Sequence, residues 1–158
     1  MTQPAKSSFA IRPAQAADAA AICDAVRRSI IELCTRDHRN NPAWLEDWLA
    51  NKTPANIASW IADPGNRMFV ATAGEAILAA GCLRTTGEIT LNYVSPDGRF
   101  QGISRAILRT LEGTARELGH RKVTLTSTVT AHDFYLAAGY VDCEPGDWPR
   151  MEKILDGS

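Results

Sequence analysis

The stretch Tyr93-Val94-Ser95-Pro96-Asp97-Gly98-Arg99-Phe100-Gln101-Gly102-Ile103-Ser104-Arg105-Ala106-Ile107-Leu108 decides the fold of this chain. It predicts the end of a β-strand, a tight glycine-containing loop and the start of an amphipathic helix. The first N–H groups of such a helix have no intrahelical partner, and Arg99 adds planar, positively charged donors. The pattern indicates a phosphate site, although an ordinary turn that needs conformationally free glycines explains it equally well.

The segments that follow this loop alternate between helix and strand. Gly119 is a suitable C-terminal cap for the helix. The apolar face of that helix consists of Ile103, Ala106, Ile107, Thr110, Leu111, Ala115 and Leu118. A strand over 123–127, a short helix over 131–138 and final strands at 140–141 and 150–155 are predicted after it.

The segments before the loop begin with a strand over 9–12 and a helix for which Asp18 is a plausible N-cap. The buried stripe of this helix consists of Ala19, Ile22, Cys23, Val26, Ile30 and Leu33. A polar loop over 35–43 and short helices around 44–49 and 57–61 come next. The remaining strands are predicted over 67–72, 76–84 and 88–94.

Two further features concern the organisation of the chain. Gly81 lies inside one of the predicted strands, which indicates a β-bulge at that position. No internal repeat and no long linker divides residues 9–155. We therefore predict one α/β domain over these residues, preceded by a disordered leader over residues 1–8.

Composition and charge narrow the classes of function. The chain has 158 residues, of which 45% are hydrophobic and 22% charged, as is typical of soluble globular domains. Its net charge of −1 argues against a nucleic-acid partner. The polar start lacks the apolar run of a signal peptide, and no segment has the length and hydrophobicity of a membrane span. We expect a cytoplasmic protein with no membrane partner.

The four cysteines are far apart in the sequence. Cys23, Cys34, Cys82 and Cys143 form no C-x-x-C pair or other close metal-binding spacing. They are therefore predicted to be reduced, small, buried hydrophobic residues, and no metal site is expected.

Two separated motifs carry a resemblance to a known family. The first is Val94-x-Pro96-x-x-Arg99-x-x-Gly102-x-Ser104, and the second is Ala131-x-x-Phe134-Tyr135-x-x-x-Gly139-Tyr140. With a predicted strand between them, they make the chain resemble the GCN5-related N-acetyltransferase (GNAT) superfamily over nearly its whole length. The resemblance implies a mostly antiparallel sheet of six to seven strands, flanked by about four helices, with two central parallel strands that splay apart.

The resemblance also implies acetyl-CoA as co-substrate and assigns roles to residues. Tyr135 is the expected general acid that protonates the thiolate of CoA. The edge of the strand that ends at Val94 would pair with the pantetheine, and a backbone N–H at Val94 or its neighbour would polarise the thioester carbonyl. The residues expected to bind the cofactor are Tyr93, Val94, Arg99, Phe100, Gln101, Gly102, Ile103, Ser104, Arg105, Thr128 and Tyr135.

Two positions depart from the family pattern. Ser104 stands where relatives have Gly or Ala, and its hydroxyl can donate to a phosphate. Thr128 replaces an asparagine that in many relatives contacts the cofactor, and a threonine hydroxyl can still reach CoA.

The general base and the acceptor pocket are not specified by the sequence. Candidate bases, each of which has an alternative interpretation as a solvated residue, are Glu32, Asp37, His38, Glu88 and His132. Trp44, Trp48 and Trp60 lie close together in sequence and could line an acceptor pocket, but aromatic residues at helical spacing favour a core or interface role.

The leading hypothesis is transfer of an acetyl group from acetyl-CoA to a primary amine of a small molecule or peptide. The alternative is a catalytically weak CoA-binding sensor or partner-binding module. A third hypothesis, acetylation of charged tRNA, is disfavoured because the chain is nearly neutral. Because many members of the family dimerise, a homodimer is a further expectation.

Overall fold

The computed structural model describes residues 8–156, so the leader predicted over residues 1–8 lies, apart from Ser8, outside the described residues. The strands are β1 (Ala10–Pro13), β2 (Asn66–Ala73), β3 (Ala76–Arg84), β4 (Glu88–Val94), β5 (Lys122–Thr126), β6 (Val141–Glu144) and β7 (Arg150–Ile154). The α-helices are α1 (Ala19–Leu33), α2 (Thr35–His38), α3 (Pro42–Leu49), α4 (Pro54–Ala62), α5 (Ile103–Glu117) and α6 (His132–Ala137).

The strands form one mixed sheet in the order β1-β2-β3-β4-β5-β7-β6. All neighbours are antiparallel except β4 and β5, which are parallel and paired only at Glu88 with Thr124 and at Ile89 with Leu125. Beyond these two pairs the strands separate. The prediction of a mostly antiparallel sheet of six to seven strands with splayed central strands is confirmed, and the number of strands is seven.

The two faces of the sheet carry separate hydrophobic clusters. Helix α5 packs on one face, where Ile107 and Leu111 are fully buried. Helices α1 and α4 pack on the other face, where Ile22, Val26 and Ile57 are fully buried. The apolar stripes predicted for α1 and α5 therefore point to opposite sides of one sheet, which fixes the order of layers as helix, sheet, helix.

The segment 35–43, predicted as a loop, is partly helical. Helix α2 occupies its first residues, and α3 already begins at Pro42. The side chain of Asn41 accepts hydrogen bonds from the N–H groups of Ala43 and Trp44, which is the capping arrangement that starts a helix. Between them Arg39 and Asn40 adopt left-handed backbone angles, and these end α2.

Two local predictions on the N-terminal half are corrected. Asp18 precedes α1, but its carboxylate accepts bonds from the Arg12 guanidinium and from the N–H of Gln15 and does not cap the helix. The β-bulge is not at Gly81, which pairs regularly on both sides. The extra residues in the ladders are Leu78 and Thr90, where the register shifts.

Gly81 has a different role, which is the close approach of α5 to the sheet. A Cβ atom at this position would lie 2.4 Å from Cγ2 of Ile107 and 3.2 Å from Cδ1 of Leu111. The missing side chain therefore allows α5 to lie directly on β3.

The cysteine prediction is correct for three of the four residues. All four thiols are free, and Cys23, Cys34 and Cys82 are buried. Cys143 is exposed because it lies on β6, the edge strand of the sheet, all four residues of which are exposed.

Replacing Gly81 by alanine tests the close packing of α5 on β3. We expect G81A to lower the free energy of unfolding by about 1–3 kcal/mol, because the new methyl group overlaps Ile107. The measurement is urea-induced unfolding followed by circular dichroism. The matched control is G113A in α5, where a Cβ meets no atom within 4 Å and should stabilise the helix by about 1 kcal/mol. Equal stabilities of G81A and the wild type would contradict the proposed close contact.

Candidate functional site

A cleft opens where β4 and β5 separate. Its volume is about 420 Å³, and its walls come from residues 89–94 of β4, from Leu125 and Thr126 of β5, and from the segment that leads into α6. Because β4 is paired with β5 only as far as Ile89, its remaining residues present an unpaired backbone edge to this cleft. An extended ligand can pair with such an edge as an added strand does.

The loop between β4 and α5 forms a second cavity of about 260 Å³ that adjoins the first. The residues that line both cavities are Val94, Arg99, Phe100, Ser104 and Phe134. Helix α5 starts after Gly102, which adopts a left-handed backbone angle, and the first intrahelical bond of this turn joins the N–H of Ala106 to the carbonyl of Gly102. Within the described part of the chain, no acceptor is hydrogen-bonded to the backbone N–H groups of residues 100–105.

Those free donors converge at the positive end of the α5 dipole, which is the arrangement expected of an anion site. The Arg99 guanidinium lies 4.5 Å from the centre of the Phe100 ring, and no ion pair involves Arg99 among residues 8–156. Its charge is therefore available to a ligand in either cavity.

Two of the loop residues predicted to bind the cofactor differ from the others in what their side chains do: Phe100 is largely exposed, and Gln101 bonds within the loop. Phe100 is 92% exposed and has a positive φ, so its side chain projects from the loop and its backbone sets the turn. Gln101 lines neither cavity, and its side chain instead donates to the carbonyl of Asp97. An ion pair between Asp97 and Arg28, with 2.8 Å between the closest atoms, ties the loop to α1.

Tyr135 lies in the wall of the cleft with its ring buried. Its hydroxyl accepts a long hydrogen bond, 3.4 Å, from the side-chain amide of Asn92. Burial raises the pKa of Tyr135 to about 12, and the bond from Asn92 opposes that shift only in part. The phenol is therefore fully protonated at neutral pH and can act as a donor.

Asn92 is a site residue that the sequence analysis missed. Its Oδ1 is buried and has no hydrogen-bond partner within the described residues, although buried amide oxygens are nearly always paired. The extra residue at Thr90 interrupts the alternation of β4 between Ile89 and Leu91, which pack in different clusters. One feature of the sequence could have indicated a role for Asn92 in the site: its polar amide stands between Leu91 and Tyr93 in a predicted strand.

The two residues that depart from the family pattern both line the cleft. Ser104 is in the first turn of α5, beside the free N–H groups. The hydroxyl oxygen of Thr128 accepts a bond from the N–H of Ala131 at 3.1 Å and so supports the start of α6. Its proton remains available to a ligand.

Two of the candidate bases are structural. His38 is 1% exposed, and both ring nitrogens are hydrogen-bonded, Nε2 to the carbonyl of Ile30 and Nδ1 to the N–H of Asn40. Asp37 accepts bonds from both the N–H and the hydroxyl of Thr130, from the N–H of Val129 and from the indole of Trp148. It fastens α2 to the segment before α6 and to the loop before β7.

The other candidate bases also lie outside the cleft. Glu32 pairs with Arg28, Glu88 with Arg150 and His132 with Asp142. Within the described residues, the cleft is lined by no carboxylate and no imidazole. None of the five candidate bases named from the sequence therefore lines the cleft.

Trp60 separates from the other two tryptophans of the sequence cluster, which line one cavity. Trp60 packs against the α1 side of the sheet, and Trp48 contacts Trp148, with ring centres 4.9 Å apart. Trp44 is 54% exposed, so of the core or interface role expected for the cluster, the core role does not hold for this residue. The cause is that Trp44 and Trp48 sit one turn apart on α3, and that face of the helix borders solvent.

Metal-binding clusters and membrane-spanning helices are both absent from the described residues. Residues 8–156 contain no group of three or more His, Cys, Asp or Glu side chains arranged to hold a metal ion. Among the helices described, none combines the length and apolar character that a membrane crossing requires.

Several solved structures share the fold. A GCN5-related N-acetyltransferase from Rhodopseudomonas palustris is 24% identical with a TM-score of 0.84, covering 98% of this chain and 100% of its own. The PaiA N-acetyltransferase from Thermoplasma acidophilum, in complex with coenzyme A, is 17% identical with a TM-score of 0.82, covering 94% and 99%. YncA from Salmonella typhimurium, described with its cofactor acetyl-CoA, is 19% identical with a TM-score of 0.62, covering 96% of each chain.

The sequence was compared with curated proteins and with models of protein families. A search of curated proteins found no match. The model of the acetyltransferase (GNAT) domain family matches residues 34–147, which include both motifs and the whole β4–α5 loop. With its splayed sheet and the family-model match over most of its length, this chain belongs to the GNAT acetyltransferase domain family.

Proposed function

We propose that residues 9–155 form a domain that transfers an acetyl group from acetyl-CoA to a primary amine. One observation carries the proposal: the loop with the free N–H groups lines a cavity that adjoins the cleft, and the wall of the cleft contains a protonated phenol. Two structures with the same fold, those of PaiA and YncA, are described with CoA or acetyl-CoA bound.

The β4–α5 loop is suited to hold the diphosphate of the co-substrate. The amides of residues 100–105, the hydroxyl of Ser104 and the guanidinium of Arg99 provide neutral and charged donors around one cavity. The pantetheine would extend along the unpaired edge of β4 beyond Ile89. This path leads the thioester from the loop toward Tyr135.

Acetyl transfer requires a new C–N bond and the loss of the C–S bond. The amine nitrogen attacks the thioester carbon, and a backbone N–H at Val94 or its neighbour donates to the carbonyl oxygen as negative charge develops there. The C–S electron pair then leaves on sulfur. Tyr135 donates its proton to that sulfur, and its oxygen regains a proton from the amine nitrogen, so that one proton moves in total from the amine to CoA.

Asn92 would position both partners of this proton transfer. Its Nδ2 already donates to the hydroxyl of Tyr135, and its unpaired Oδ1 can accept an N–H bond from the attacking amine. Since no carboxylate or imidazole of the described residues lines the cleft, the acceptor ammonium loses its first proton to solvent and attacks as the neutral amine.

The first prediction concerns the phosphate loop. R99Q should weaken the binding of acetyl-CoA about tenfold, since it removes a charged hydrogen-bond donor from the diphosphate. Isothermal titration calorimetry gives the dissociation constants. R109Q, which removes an exposed arginine from α5 outside both cavities, should bind as the wild type does.

A shorter acetyl donor distinguishes the loss of the Arg99 contact with the diphosphate from a general loss of structure in R99Q. Acetyl-pantetheine lacks the diphosphate, so its turnover should be equal in R99Q and the wild type. An equal loss with both donors would show that Arg99 does not act on the diphosphate. If the wild-type protein fails to bind acetyl-CoA at sub-millimolar concentration, the proposed function itself is wrong.

The second prediction concerns the acid. Y135F should lower kcat/KM by about 10²–10⁴, because proton transfer by a positioned side chain contributes that much to rate. The dissociation constant for acetyl-CoA should change less than threefold, because the ring is retained. Release of free thiol from acetyl-CoA with a panel of primary amines measures the rate. Wild-type binding without any turnover that depends on Tyr135 would instead favour a CoA-binding module.

The third prediction concerns pH. A phenol with the ordinary pKa of about 10 is half ionised at pH 10, whereas one with a pKa of about 12 is about 1% ionised. The raised pKa of Tyr135 therefore keeps the acid protonated, and kcat at saturating amine should not fall between pH 8 and pH 10. A decrease of kcat with a midpoint near pH 10 would contradict this assignment.

A further inference from the structure

Another cavity, of about 350 Å³, lies beside the cleft on the α2–α3 side of the molecule. Three tryptophans dominate its lining, two from α3 and one from the loop before β7; its lining residues are Asp37, His38, Trp44, Asp47, Trp48 and Trp148. The mechanism proposed above uses none of these residues. The exposed aromatic rings and the carboxylates of this cavity indicate a binding site for a ligand.

The tryptophans present aromatic surface to solvent. Trp44 is 54% exposed and Trp148 is 42% exposed, although large aromatic side chains are usually mostly buried. The rings of Trp48 and Trp148 are tilted by 57° to each other, so their faces are not sealed against one another by parallel stacking. The indole of Trp148 is held in place because its N–H donates to Asp37 at 2.8 Å.

The charges around this cavity have one sign. Asp37 and Asp47 carry carboxylates, no lysine or arginine lines the cavity, and the residues described include no ion-pair partner for either carboxylate. The oxygens of Asp37 accept bonds only from neutral donors, so its negative charge is not neutralised. Aromatic faces beside uncompensated carboxylates favour a positively charged organic group.

We propose that this cavity, the tryptophan cage of Trp44, Trp48 and Trp148, binds an ammonium group of the acetyl acceptor. The cage adjoins the cleft through one contact, because Asp37 lines the cage while its bonding partner Thr130 lines the cleft. An acceptor held in the cage would reach the cleft by passing over this contact between Asp37 and Thr130.

The chemistry of the reaction then limits the class of acceptor, an argument that rests on the proposed function. The amine that attacks the thioester must be neutral, whereas the group in the cage is charged. One nitrogen cannot serve both purposes, so the acceptor carries a second ammonium group. Diamines and longer polycations fit this requirement, and neutral monoamines do not.

The first experiment measures cation binding without turnover. Choline and its neutral isostere 3,3-dimethylbutan-1-ol have the same shape and differ in charge, so ligand-observed NMR titrations compare them directly. We expect choline to bind at least tenfold more tightly. Equal binding of the two probes would show a merely apolar cavity and would overturn the proposal.

Variants assign the binding to the cage. W44L and D47N should each weaken choline binding about three- to tenfold, because they remove an exposed aromatic face and an exposed carboxylate. E46Q removes the same charge from the adjacent position of α3, outside the cavity, and should bind choline as the wild type does. Equal loss in D47N and E46Q would mean that only net charge matters and would also overturn the proposal.

The kinetic experiment tests the link to acetyl transfer. With hexane-1,6-diamine and hexylamine as matched acceptors, the wild type should show a KM at least tenfold lower for the diamine. W44L should raise the KM for the diamine and leave the values for hexylamine and acetyl-CoA unchanged. Equal KM values in the wild type would refute the cage as acceptor site while leaving acetyl transfer intact. If neither amine is acetylated although choline binds, the proposed function fails and the cation site stands.

Discussion

The short pairing of β4 with β5 is the constraint on which the rest of the structure depends. Two parallel strands in the middle of a sheet normally satisfy each other's backbone groups along their full length. Here only Glu88 and Ile89 are matched, and the following residues of β4 are left with an unpaired edge. A groove with backbone donors and acceptors on its wall is the direct consequence, and the polar side chains of the site are arranged around it.

Two contacts position elements that line the groove. Gly81 lets α5 lie against β3, which brings the first turn of the helix and its free N–H groups to the end of β4. Asp37 joins α2 to the segment before α6 through the backbone of residues 129 and 130. The burial that results is also what raises the pKa of Tyr135 and leaves the amide oxygen of Asn92 without a partner.

The cleft and the tryptophan cage differ in their chemistry. The cleft is lined by neutral polar and apolar groups together with Arg99, which suits a thioester and a diphosphate. The tryptophan cage has aromatic faces and carboxylates and no cationic residue. Asp37 stands between them and serves both, because its hydrogen bonds shape the cleft and its charge acts on the cage. An acceptor that spans the two cavities would be selected by charge at one end and would react at the other.

Local pattern was enough to find the strands, the helices other than α2 and the β4–α5 loop, because periodicity and glycine positions are properties of neighbouring residues. The assignment to the GNAT family, read from two short motifs, is confirmed by the family model over residues 34–147. The roles of Arg99, Ser104, Thr128 and Tyr135 stay predictions, although the structure places all four around the cleft. Contacts between distant segments could not be read from the chain. Asn92 meets Tyr135 across 43 positions, and Trp148 reaches Asp37 across 111, so neither the orphaned amide nor the third tryptophan of the cage could be recognised before the sheet brought them together.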